Sequence, residues 1–330
     1  MKKNIAIIMG GYSSEYGISI KSGEVVYKTL IKEKDINVYK VIIKKDDWYH
    51  IDKSEIKHEI KKETFQIIKN DEVIDIDLVF NTIHGIPGEN GEIQSYLEKL
   101  GLNQTSSESL ESRLTFDKNH CKQKIKKLGY NTPKSIIINK EETYDSEEIL
   151  KKLKLPIFIK PNAGGSSFGI SRVDDEKNII NAINYCFKED KYALIEEEIS
   201  GREISVGVIK YNNKIIALPA TEIISHNSFF DYNAKYNGES DEITPAEITK
   251  AEGEEVRNIS LNIYKKLNLK GFSRCDFILK DGVFFFLEVN TNPGLTEESI
   301  LPQQAKAANI SLKDLFRSVI DNNEWNKIHI

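Results

Sequence analysis

Near the end of the chain, Arg274-Cys275-Asp276-Phe277 and Phe286-Leu287-Glu288-Val289-Asn290 flank a Lys280-Asp281-Gly282 turn. Short apolar runs on either side of Asp-Gly read as a β-hairpin. Side chains alternate along a strand, so Arg274 shares a face with Asp276, and Glu288 with Asn290. Register decides whether those faces coincide. A two-residue loop at Asp281-Gly282 sets Asp276 against Leu287 and sends the two carboxylates to opposite faces, because a one-residue slip exchanges the side-chain sets. A three-residue loop from Asp281 to Val283 sets Asp276 against Glu288 and Arg274 against Asn290. The sequence therefore predicts an odd-length loop or a bulge. With the faces matched, two carboxylates, one amide oxygen and one guanidinium converge in an apolar hairpin. Hard oxygen ligands without His or Cys suit Mg²⁺, which is held by few protein groups plus substrate phosphates. Acids on the wet side of an ordinary hairpin are the plainer alternative. The polar turn Asn290-Thr291-Asn292-Pro293-Gly294 directly after the strand weighs against it.

At 330 residues the chain has room for two or three domains with substantial cores. A net charge of −5, spread as mixed Lys and Glu, offers no basic face for nucleic acid and no polybasic membrane patch. The longest apolar runs, 5–9 and 284–287, are far too short to span a bilayer. Run 5–9 follows Met1-Lys2-Lys3 but leads into Gly10-Gly11, so it reads as a first strand rather than a secretory leader. Cys121, Cys186 and Cys275 show no metal or redox spacing, which fits a reducing, cytoplasmic setting.

Strand and helix signals alternate through the first hundred residues: strand 4–9, helix 19–30, strand 38–43, strand 77–83, and a helix from Gly91 with Ile93, Leu97 and Leu100 at helical spacing. The charged stretch 44–62, carrying Trp48 and Tyr49, reads as a surface hairpin and helix. Such alternation implies a parallel α/β sheet to about Gly101. After the Ser/Thr-rich stretch 104–112 come a helix at 118–128, a strand at 134–138, a helix at 146–153 and a strand at 156–160. Strands dominate from Ala193 onward, with helices at 245–267 and 311–320. Three domains are expected: 1–103, 104–194 and 195–330.

Several loops carry candidate chemistry. Gly10-Gly11-Tyr12-Ser13-Ser14-Glu15 joins a strand to a helix, and Glu15 at that terminus is suited to gripping an ammonium group. The glycine spacing is not a dinucleotide fingerprint, and a simple capped helix start remains the alternative. His84-Gly85-Ile86-Pro87-Gly88-Glu89 occupies the equivalent position after a later strand, where a parallel sheet binds ligands. Lys160 ends an apolar strand before the flexible loop 161–169, whose N–H groups and hydroxyls could cover phosphates. That loop lacks the Lys-Ser/Thr of a Walker motif, and alone it could be a surface loop. Glu196-Glu197-Glu198 reads by default as a solvated edge strand guarded by charge; a nucleotide site would instead use Glu196 for the adenine amine and Glu203 for the ribose. The long polar segment 225–245, with Phe229, Phe230, Tyr232, Lys235 and Tyr236, reads as a lid.

Taken in order, these segments closely resemble the ATP-grasp superfamily, and within it the D-alanine–D-alanine ligases. The resemblance runs from Gly10-Gly11, Glu15 and Ser22-Gly23 through His84-Gly85, Gly88-Glu89, Lys118, Lys160-Pro161 and Gly165-Ser166-Ser167. It continues through Asp231-Tyr232 and Ala234-Lys235-Tyr236 to Arg274-Cys275-Asp276, Glu288-Val289-Asn290-Thr291 and Pro293-Gly294-Leu295-Thr296. It implies an N-terminal parallel-sheet domain and two lobes clasping ATP. Lys118, Lys160, Lys235 and Ser167 would bind phosphates, with Glu196, Ile199 and Glu203 on adenosine. Asp276, Glu288 and Asn290 would hold two Mg²⁺ or Mn²⁺ ions. Glu15 would hold the first D-alanine with His84 nearby, Ser299 and Ile300 the second, and Arg274 with the Gly294 N–H the oxyanion. Glu15, Ser166 and Tyr236 would form a trio joining first domain, Gly/Ser loop and lid. The resemblance also implies a homodimer acting in peptidoglycan synthesis. Many relatives have Glu where this chain has Gly164. D-alanine–D-lactate ligation, another amino-acid ligation, and a nucleotide-binding protein without chemistry are the competing readings.

Overall fold

The computed structural model describes residues 2–165, 168–225 and 240–322. Ser166, Ser167, Lys235 and Tyr236 therefore lie outside the described residues, as does most of the expected lid.

The first sheet grows around Lys3–Gly10, whose apolar run Ile5, Ile7 and Met9 on one face and Ala6 and Ile8 on the other is buried on both sides. Such a strand needs cover on both faces, and helix Tyr16–Leu30 supplies part of it with Val26 and Leu30. Lys3–Gly10 pairs in parallel with Ile36–Ile43 and with Leu78–Asn81, and Asn103–Gln104 adds in parallel beyond the latter. On the other side the sheet continues antiparallel through Trp48–Ile51, Lys57–Lys61, Gln66–Lys69 and Glu72–Ile74. The stretch expected to hold a helix is thus strand. Its alternation turns His58 and Ile60 inward between exposed Lys57, Glu59 and Lys61, a period that only a strand satisfies.

Two further sheets face one another. The smaller runs Ser171–Val173, Ile157–Pro161, Tyr192–Glu197, Ser135–Asn139, all antiparallel. The larger runs Ser240–Ile243, Thr221–Ser225, Arg202–Tyr211, Ser273–Lys280, Val283–Asn290, with Lys214–Ala217 paired to Arg202–Tyr211. Helices Lys118–Lys127, Ser146–Lys152 and Lys250–Lys266 fall where the sequence places them, the last opened by a Thr249–Glu252 capping box. Helices Ser109–Phe116, Ile179–Cys186 and Ile300–Ala307 add to them, and the first begins inside the Ser/Thr-rich stretch. All three cysteines are buried free thiols. Among the described residues no helix is long and apolar enough to cross a membrane.

Candidate active site

Strands Ser273–Lys280 and Val283–Asn290 set Asp276 opposite Glu288 and Arg274 opposite Asn290. The turn, however, has two residues: Lys280 faces Val283, and Asp281 (φ 50°) and Gly282 (φ 75°) both take the left-handed region such a turn requires. The register is recovered by a bulge opposite Asp276/Phe277, where Leu287 is the extra residue. Of the two expected devices, the bulge is used and the three-residue loop is not. Side-chain packing explains the choice. Phe284 and Phe286 are buried before the bulge and Val289 after it, so the core-facing parity switches at Leu287. A longer loop would have turned both phenylalanines away from Phe277 and Leu279.

The Asp276 carboxylate is fixed from two sides. Ser205 Oγ donates to Oδ1 at 2.6 Å, and Arg274 forks onto it through Nε at 3.0 Å and Nη2 at 2.8 Å. Lys118 Nζ lies 3.4 Å from Glu288 Oε2 and donates to the Gly164 carbonyl at 2.6 Å. Asn290 Oδ1 accepts the Asn292 backbone N–H at 3.0 Å.

Lys160 projects from the smaller sheet, and its Nζ lies 2.7 Å from Glu196 Oε2. The other Glu196 oxygen, Oε1, accepts from Lys122 Nζ. Burial alone would raise the Glu196 carboxyl, but Lys122 and Lys160 hold it below the usual range. Burial lowers Lys122 to about 8 against the pull of Glu196. Lys160 is also opposed by burial, yet Glu196 carries it above the ordinary lysine value. The default reading of this segment as a charged edge strand is therefore corrected. Tyr192–Glu197 is an inner strand, paired on both sides, and ion pairs replace water around Glu196. Lys122 escaped the sequence reading, although its position one helical turn beyond Lys118 was the available signal.

Glu15 is buried at the start of helix Tyr16–Leu30. The backbone closes tightly around it: a β-carbon added at Gly85 or Gly165 would come within 2.7 Å of Glu15 Oε2. His84 is buried, with Nε2 2.9 Å from Ser22 Oγ and Nδ1 2.9 Å from the Asn292 carbonyl. A carbonyl only accepts, so Nδ1 carries the proton and Nε2 accepts from Ser22. Burial lowers the His84 pKa and favours this neutral form. Glu89, unassigned in the sequence reading, accepts the Gly85 N–H at 2.9 Å. Burial, with the Glu15 charge adding to it, pushes its carboxyl well above the usual range. Ser299 precedes helix Ile300–Ala307, and its Oγ lies 2.8 Å from Thr296 Oγ1. A β-carbon at Gly294 would fall 2.7 Å from that Ser299 Oγ.

These residues distribute over two cavities. One, of about 570 Å³, lies between the smaller and larger sheets and is lined by Lys160, Glu196, Ile199, Glu203 and Asp276. The other, of about 650 Å³, lies against the first sheet's loops and is lined by Glu15, His84, Glu89, Asn290, Gly294, Ser299 and Ile300. Lys118, Arg274 and Glu288 line both.

A cavity clasped between an antiparallel four-stranded sheet and a larger sheet, lysines on one wall and a paired-acid hairpin on the other, defines an ATP-grasp protein. The chain belongs to the D-alanine–D-alanine ligase family: residues 4–107 match the family described as D-ala D-ala ligase N-terminus, and residues 125–321 the one described as D-ala D-ala ligase C-terminus. It is 49% identical over 322 residues, 97% of this chain and 98% of its relative, to D-alanine–D-alanine ligase of Christiangramia forsetii. In structure it is similar to the VanG D-Ala:D-Ser ligase from Enterococcus faecalis, with TM-score 0.85, 30% identity, and 97% and 99% of the two chains covered. It is also similar to the Bacillus anthracis D-alanine–D-alanine ligase complexed with ATP, with TM-score 0.78, 31% identity, and 97% of each chain covered.

Proposed function

We propose that the chain joins two D-alanine molecules into D-alanyl-D-alanine for peptidoglycan precursors, releasing ADP and phosphate. One observation carries the reading: Lys118, Arg274 and Glu288 stand on the shared wall of two cavities, where a phosphoryl group and a carboxylate can meet. In this reading the 570 Å³ cavity takes ATP, with Glu196, Ile199 and Glu203 on adenosine and Lys118, Lys160, Lys235 and Ser167 on phosphates. The donor set of Asp276, Glu288 and Asn290 fits two Mg²⁺ or Mn²⁺ ions: it is hard oxygen throughout, on one strand pair beside the phosphate lysines. Such ions, when bound, neutralise phosphate charge during transfer of the γ-phosphoryl group.

Direct amide formation between two zwitterions is unfavourable in water, so the first carboxylate is activated as its acyl phosphate. Glu15 grips that alanine's ammonium group. The second alanine's carboxylate sits at Ser299 and the Ile300 N–H, where a helix N-terminus favours negative charge. Its ammonium group gives up a proton, for which the Ser166 and Tyr236 network is the candidate acceptor. The freed amine attacks the acyl carbon, Arg274 and the Gly294 N–H steady the oxyanion, and the C–O bond to phosphate breaks as phosphate leaves. Glu15, Ser166 and Tyr236 act together in this reading, and water is kept from the acyl phosphate. A cytoplasmic homodimer of three domains, 1–103, 104–194 and 195–330, belongs to the same reading.

The test is phosphate release with ATP and D-alanine, L-alanine, or D-lactate plus D-alanine. D-alanine alone should support turnover. Asp276→Ala should fold and lose at least about a thousandfold in kcat, the scale of a lost transition-state charge contact. Near-wild-type turnover by that variant would reject the site.

A further inference from the structure

Lys122 is 3% exposed, Glu196 is 3% exposed, and the two oxygens of Glu196 are divided between Lys122 and Lys160. Glu196 and Lys160 both line the 570 Å³ cavity, whereas Lys122 lines neither cavity. One lysine would suffice to neutralise one buried carboxylate, and a second buried ammonium adds a desolvation cost. The surplus has a use if Lys160 must leave. When a phosphate draws Lys160 away, a Glu196 without Lys122 would be a bare buried carboxylate and would take up a proton. Protonation would turn one acceptor oxygen into a donor.

We propose that Lys122 is a positioning residue for nucleotide recognition: it keeps Glu196 ionised and oriented toward the adenine amine while Lys160 turns to phosphate. This rests on the reading of the 570 Å³ cavity as the ATP site. The charged groups around Lys122 are Glu196, Lys160 and Glu288.

The test compares ATP with ITP, which lacks the exocyclic amine, in wild type and Lys122→Met. Nucleotide binding is titrated without D-alanine, and kcat/KM is measured with it. Wild type should favour ATP over ITP by about tenfold or more. In Lys122→Met, ATP binding should weaken about tenfold and ITP binding less than about threefold, so the preference collapses through KM rather than kcat. Equal losses for both nucleotides, an unchanged preference, or no preference in wild type would overturn the proposal. Should Lys122→Met not fold, Lys122→Gln is judged by the same criteria. Failure of wild type to release ADP in response to D-alanine would instead reject the ligase reading, and the titrations would still decide the role of Lys122.

Discussion

His84 shows how a single side chain is committed by its surroundings. Ser22 lies on the first helix, Asn292 follows the last strand, and the imidazole joins them with one nitrogen each. The pKa is lowered by burial, Glu15 acts against this, and Arg274 adds to it. The neutral form is thus favoured in the folded state. Its contribution is fully present above the unfolded pKa of about 6.5 and is lost as pH falls from there toward the lower folded value. Wild type should therefore lose stability relative to His84→Gln between pH 7.5 and 5.5. Thermal unfolding of both proteins checks this, and parallel curves would contradict the buried neutral imidazole. Residue placement was legible where a motif names it: Glu15, Lys160 and Asp276 each line one of the two cavities. Glu89 and Lys122 were not singled out, because an acid in a loop and one lysine among many look ordinary until burial is known.

At the scale of the hairpin, the bulge does what the turn does not. Asp-Gly specifies a two-residue turn, and the apolar pattern demands that Phe284 and Phe286 face the core. These two requirements alone would put Glu288 on the wrong face. Leu287 resolves the conflict by standing outside the ladder and lining the 570 Å³ cavity. Deleting Leu287 should therefore leave Asp276 opposite Glu288 and the protein folded. It should remove cavity wall and raise KM for ATP by about tenfold or more, the scale of a lost apolar contact in a binding pocket. Steady-state kinetics with circular dichroism checks this; an unfolded deletion variant, or a folded one with unchanged KM for ATP, would contradict it. The sequence showed that some irregularity was needed but not which, since both devices restore the same pairing.

Across the whole molecule, the first sheet does not close its own core. Ile5, Ile7 and Phe80 pack in one cluster with Leu301, Leu315, Phe316 and Val319 from the last two helices, with Ile209 of the larger sheet, and with Leu218 just beyond its Lys214–Ala217 strand. Phe80 and Phe316 meet edge to face at 6.0 Å. Chain ends more than two hundred residues apart in sequence therefore share one apolar interior. Phe316→Ala should cost about 3–5 kcal/mol and shift one cooperative denaturant transition. A separate early transition confined to the C-terminal helices would contradict the shared core. This packing also holds the His84 and Asn292 loops in contact, which brings Glu15 to the same cavity as Gly294 and Ser299.

The sequence by itself determined the elements that obey local rules: the parallel strands of the first sheet, most of the longer helices, the place of the hairpin turn and several of the acids and lysines that line the two cavities. Periodicity and turn chemistry act over a few residues, so they are written there. Only the tertiary structure decided that a bulge and not a longer loop sets the hairpin, that Glu196 lies inside a sheet between two lysines, and that the last helices complete the first core. Those outcomes depend on burial and on partners far along the chain, where a charge or a phenylalanine acquires its meaning from what packs against it.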